Sequence, residues 1–132
     1  MIQVELSAVV INERSDEQVI TLREVDGGRT LPIVIGMFEA FAIDRLVKER
    51  TAERPLTHDL MEALVLALGA RVTRVVIDDL KDETFFAKVV LQRGDDERSV
   101  DARPSDAITL ALKTGCPVFV TEKVLDTAAS PA

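Results

Sequence analysis

Asp26-Gly27-Gly28-Arg29-Thr30-Leu31-Pro32-Ile33-Val34-Ile35-Gly36-Met37-Phe38-Glu39 places a turn, a strand and a helix start in direct succession. Asp-Gly-Gly is a tight-hairpin signal, because glycine accepts the positive φ that such turns require. The apolar run 30–35 therefore reads as a strand folded back on residues 18–25, and Gly36 opens a helix over 37–50. In that helix Phe38, Phe41, Ala42, Ile43, Leu46 and Val47 fit one broad apolar face. Glu39, in its first turn, projects from the same face, so it must be paired, coordinated or protonated there.

Working outward, residues 2–11 are rich in Val and Ile and read as a first strand, joined to the next by the polar turn 12–16. A second helix spans 58–68 and stops at Gly69. Strands over 71–80 and 84–92 flank Lys81-Asp82-Glu83, and Gly94-Asp95-Asp96-Glu97 turns into a short strand at 98–101. A third helix covers 105–114, and a strand at 118–120 follows, apolar enough to lie exposed at a sheet edge only if a partner covers it. Thr121 caps a last short helix through residue 125. Strands in a run, then strands mixed with helices, indicate an α+β fold. The expectation is a single domain over 1–126, a mixed or antiparallel sheet carrying three main helices, and a flexible tail at 127–132.

With 132 residues, 47% hydrophobic and 30% charged, the chain has the make-up of one globular domain with its own core. Its 16 basic and 23 acidic side chains give a net charge of −7, which disfavours long-range capture of nucleic acid and argues against tight sequence-specific DNA binding. There is no Trp or Tyr and only five Phe, so base-stacking groups are few. The one cysteine, Cys116, has no internal disulfide partner and suits a reducing compartment. Residues 1–5 have neither the basic nor the apolar region of a signal peptide, and the apolar run 60–68 is too short to span a membrane. A cytoplasmic protein without membrane attachment is expected.

Chemistry is concentrated in two related segments. Arg54-Pro55-Leu56-Thr57-His58-Asp59 and Arg103-Pro104-Ser105-Asp106 each set arginine, proline, a hydroxyl and an aspartate at a helix start. Unpaired N–H groups and the helix dipole attract anions there, an arginine can receive a phosphate, and an aspartate can hold a metal. The same residues also suit ordinary capping by Thr57 and Ser105, with salt bridges between neighbours. His58, the only histidine, is a candidate for proton transfer. The acidic stretches 78–83 and 95–97 read as solvated turns.

Leu31-Pro32-Ile33 with Ile35-Gly36 and Glu39-Ala40, Arg54-Pro55 with Thr57-His58-Asp59-Leu60, and Asp101 with Arg103-Pro104-Ser105-Asp106-Ala107-Ile108 together resemble the bifunctional nuclease domain family. The resemblance runs from Ile2 to about Leu125. It implies a single α+β domain that assembles as a dimer or higher homo-oligomer. It also implies cleavage of RNA and DNA, the activity for which plant members are named. Phe38 and Phe41 beside Glu39, and Thr109 where the family usually has a small apolar residue, depart from its pattern.

Two function classes follow. In the first, the chain is a metal-assisted, sequence-nonspecific nuclease that binds RNA or DNA weakly. Glu39, Asp59, Asp101 and Asp106 would supply carboxylates to Mg²⁺ or Mn²⁺, hard ions that suit oxygen ligands. Arg54, Arg103 and Ser105 would hold the phosphate, while Glu39, His58, Asp59 and Asp106 form the catalytic set. In the second, these residues are a structural polar network in a non-enzymatic, oligomeric binding or regulatory module.

Overall fold

The computed structural model describes residues 1–131. Its elements run β1 (Ile2–Val10), β2 (Glu17–Glu24), β3 (Thr30–Gly36), α1 (Met37–Val47), α2 (Thr57–Ala67), β4 (Arg71–Lys81), β5 (Thr84–Arg93), β6 (Asp96–Ala102), α3 (Pro104–Thr114), β7 (Val118–Val120) and α4 (Glu122–Ala128). The strands form one seven-stranded sheet in the order β3-β2-β1-β7-β4-β5-β6. Every neighbouring pair is antiparallel except β4 and β7, which run parallel. The fold is α+β with a mixed sheet, as expected.

Period-2 burial explains the first hairpins. Gln18, Ile20 and Leu22 of β2 and Leu31, Ile33 and Ile35 of β3 point inward, while Pro32 and Val34 face out. Pro32 is tolerated because β3 is an edge strand. Gln18 is 1% exposed and stays satisfied because its amide closes the preceding turn, donating to the carbonyls of Asn12 and Ser15. Two tight turns complete the sheet's far half. Asp82 and Glu83 both take positive φ between β4 and β5, and Gly94 does so between β5 and β6.

The helix α3 is the centre of the core. Ala107, Ile108, Leu110 and Ala111 are buried, and Gly115 at φ +78 ends the helix in the left-handed conformation. Thr109 is also buried, and its hydroxyl donates to the Ser105 carbonyl at 2.6 Å, which satisfies it inside the core.

Several expectations are corrected. The run Val118–Val120 is interior, paired with β1 on one side and β4 on the other, so it is no exposed edge. In α1 the buried residues are Ala40 and Ile43, whereas Phe38 and Phe41 face outward. That helix stops at Val47 because Glu49 turns to φ +55. Thr57 and Ser105 do not cap their helices. The N-cap positions fall on Leu56 and Arg103, one residue earlier and two residues earlier respectively. Thr121 does cap α4, accepting from the Val124 N–H. That helix continues to Ala128, and Ser130 then bridges to Thr30, so the chain stays tied to the sheet beyond residue 126. Residue 132, the last of the expected tail, lies outside the described residues.

Candidate active site

Three helices begin at one place. Glu39 lies in the first turn of α1, His58 in that of α2 and Asp106 in that of α3, and their side chains form a connected array. His58 Nε2 is 3.0 Å from Asp106 Oδ1. Arg103 Nε donates to Asp106 Oδ2 at 2.8 Å, and its Nη1 reaches Glu39 Oε1 at 3.4 Å. The two Arg-Pro segments, far apart in sequence, thus meet through His58 and Asp106.

Local sequence builds this geometry. Pro104 occupies the first turn of α3, where its missing N–H costs nothing. It fixes the approach of Arg103, which sits in extended conformation at φ −69 and ψ 146 just outside the helix. On α2, Asp59 accepts from the Leu56 N–H at 2.9 Å and so pins the turn that presents His58. Gly36 leaves room for Glu39: a β-carbon at that position would lie 2.5 Å from Glu39 Oε1.

The electrostatics are those of a held carboxylate. Burial of Asp106 works to raise its pKa, but the hydrogen bonds and charges of Arg103 and His58 outweigh it and keep the group below its ordinary value. Arg103 is correspondingly raised, first by its bond to Asp106. If the Nε2–H of His58 donates to Asp106, Nδ1 becomes the lone-pair nitrogen able to take a proton. Arg103 remains 63% exposed, so its guanidinium is held at one edge and open to a ligand at the other.

Other expected site residues lie elsewhere. Asp59 is held below its ordinary pKa chiefly by the Leu56 N–H and also by Lys113 and Arg45, whose ion pairs measure 3.3 and 3.7 Å. Asp101, on edge strand β6, is 76% exposed and pairs with Lys88. Arg54 is exposed and makes no ion pair within the described residues. Ser105 is 5% exposed, covered inside the first turn of α3. Sequence reasoning missed Arg45, which lines the same groove as His58 and Asp106. Its position one turn after Phe41 gave no signal of this, because Phe41 was expected on the core face of α1.

Among the described residues no three His, Cys, Asp or Glu side chains are grouped to hold a metal. The donor set does not suit a divalent ion as it stands, since the cation between Glu39 and Asp106 is the guanidinium of Arg103. No helix among the described residues is long and apolar enough to cross a membrane.

The chain resembles an uncharacterized protein of Mycobacterium tuberculosis, strain H37Rv, with 40% identity over 123 residues, 93% of this chain and 73% of that protein. It also resembles two plant proteins named bifunctional nuclease 2. The rice protein is 29% identical over 114 residues, 83% of this chain. The Arabidopsis thaliana protein is 29% identical over 105 residues, 76% of this chain. The alignments span 35% and 32% of those two plant proteins. The model of the bifunctional nuclease domain matches residues 20–132, and the chain belongs to that family.

Proposed function

We propose that this chain hydrolyses phosphodiester bonds of RNA or DNA, with His58 as the proton-transfer group, Asp106 as its orienting partner and Arg103 as the phosphate clamp. The observation that carries this is the His58–Asp106–Arg103 array at the converging N-termini of α2 and α3, with Glu39 of α1 beside it. His58 would take a proton from an attacking water at Nδ1. As the new P–O bond forms, Arg103 and the helix ends face the charge gathering on the phosphoryl oxygens. The P–O bond to the leaving oxygen breaks, and the imidazolium returns the proton there. The names of the plant relatives support the same class of reaction.

The Mg²⁺ or Mn²⁺ expected from the carboxylate count has no ready cage, so the chemistry assigned to the array belongs to its own side chains. The test is cleavage of labelled RNA and single-stranded DNA by highly purified protein, with divalent ions and with EDTA. Cleavage that disappears in His58→Ala and Asp106→Asn, while both remain folded, supports the proposal. Wild-type protein that cuts neither substrate, or variants that keep full activity, leave the polar network a structural role.

A second reading concerns assembly. Leu56, Leu60, Leu64 and Leu68 recur every four residues from the N-cap to the C-cap of α2 and are 43%, 52%, 56% and 71% exposed, and no residue of that helix is buried. An apolar stripe of this kind is what a second copy would cover, and we infer that the chain forms homo-oligomers through it.

A further inference from the structure

The groove that carries the dyad has an aromatic wall. Phe38 and Phe41 stand three residues apart on α1, a spacing that puts both rings on one helix face. They are 85% and 42% exposed, and they line a groove of about 660 Å³ together with Glu39, His58, Arg103 and Asp106. The remaining phenylalanines, Phe85, Phe86 and Phe119, are half-buried in the sheet. Every exposed aromatic ring among the described residues therefore sits at the candidate site. Burying such a ring is worth about 1.5–3 kcal/mol, which Phe38 forgoes almost entirely.

We propose that Phe38 and Phe41 form a stacking platform for an unpaired nucleobase next to the phosphate held by Arg103, which makes single-stranded nucleic acid the preferred substrate. The proposal rests on the nuclease reading of the same groove. Bases in a duplex stack on one another and offer no free face, whereas an unpaired base can lie on a phenylalanine at a gain of about 1–3 kcal/mol. Charge complements the rings, because Arg103 and Arg45 border the groove and would flank the sugar-phosphate chain. A net charge of −7 supplies little long-range attraction, so short-range stacking is the available source of affinity. A ring face accepts any base, consistent with cleavage without sequence preference.

The experiment uses the full chain and a short oligothymidylate carrying one 2-aminopurine, with phosphorothioate linkages to slow cleavage. Stacking on the rings quenches 2-aminopurine fluorescence, and anisotropy of the same strand gives Kd. Quenching with wild-type protein is expected. Phe38→Ala and Phe41→Ala should lose it and weaken single-strand Kd and KM about 5- to 100-fold with kcat little changed, while Phe38→Trp restores both. The exposure of Phe38 means that its replacement leaves folding intact, which circular dichroism checks. Quenching of this probe together with an unmodified strand of the same sequence that stays uncut supports the platform and counts against the nuclease reading alone. Cleavage without quenching, or no binding at all, overturns the platform. So does a Phe38→Ala protein that changes from dimer to monomer yet binds the strand as before, since the rings would then belong to a subunit interface.

Discussion

His58 Nε2 and Asp106 Oδ1 lie 3.0 Å apart, joining the first turns of two helices across 48 positions of chain. Asp106 is shared with Arg103, so one carboxylate orients both the base candidate and the phosphate-binding cation. Such sharing predicts that the three residues act as a unit. Replacing His58 by Gln keeps an N–H donor for Asp106 but removes the basic nitrogen. Activity should fall by about 10²–10⁴-fold, the usual worth of a general base, with little change in thermal stability. His58→Gln combined with Asp106→Asn should lose hardly more than either alone. Additive losses in that cycle would show that the two residues work separately.

Acid should weaken the site's hold on the fold. Asp59 and Asp106 both have folded pKa values below their ordinary ones. Below the ordinary carboxylate range, about 3.9, the unfolded chain binds protons that the folded chain still refuses. Stability therefore rises with pH through that window: each contribution is fully present above it and is lost as pH falls through the folded pKa. Urea unfolding from pH 7 to pH 3 measures this. The stability gap between wild type and Asp59→Ala should stay constant above about pH 5 and shrink below it, and a gap independent of pH contradicts the assignment.

Asp59 and Asp101 should separate from the dyad in their effects. Asp59→Ala removes the acceptor for the Leu56 N–H and should cost about 0.5–2 kcal/mol, as lost caps do. Asp101→Asn breaks an exposed pair with Lys88 and should change stability by less than about 1 kcal/mol. Asp101→Asn should also leave cleavage unchanged, because the residue pairs with Lys88 away from the array. A large loss of cleavage in Asp101→Asn would restore it to the catalytic set.

Much of this was legible in the residues. The Gly27-Gly28 hairpin, the alternation through Ile33 and Ile35, and the echo of Arg-Pro before two helices pointed to an α+β domain with its chemistry at helix starts. The sheet order was not legible, because β7 enters between β1 and β4 through contacts made after α3 crosses over. Only three residues long, that strand carries no local signal of being central. The face of α1 was misjudged for a related reason: periodicity finds an apolar stripe but not which edge of it meets the core. The buried edge is Ala40 and Ile43, and the larger Phe38 and Phe41 are left outside. Carboxylate counting likewise does not place the groups in space. Counting cannot see that Asp59 and Asp101 each face a lysine.

Self-association through α2 predicts a clean disruption. Leu60→Lys with Leu64→Lys puts two charges on the exposed stripe without touching a buried side chain. Wild-type protein should sediment as a dimer or larger species at micromolar concentration, and the double variant as a folded monomer. A wild type that is monomeric throughout, or a double variant that still assembles, removes α2 from the interface.

Gly36 offers the sharpest separation of positioning from folding. Its φ of −76 is one that alanine adopts readily, so backbone strain does not oppose Gly36→Ala. The added methyl would nevertheless lie 2.5 Å from Glu39 Oε1, at the flexible end of a side chain that can move away. Stability should therefore hold or rise slightly, by up to about 1 kcal/mol, from the reduced freedom of the unfolded chain. Glu39 would be displaced from Arg103 Nη1, leaving the guanidinium held by Asp106 alone. If Glu39 sets the pitch of Arg103 for the phosphate, cleavage drops by up to about 10²-fold, the scale of an ångström's misplacement. Glu39→Gln should show a similar loss, and the double variant no further one, because both changes act through the same contact. Full activity in Gly36→Ala, with Glu39→Gln impaired, would mean that Glu39 acts on substrate directly and not by positioning Arg103.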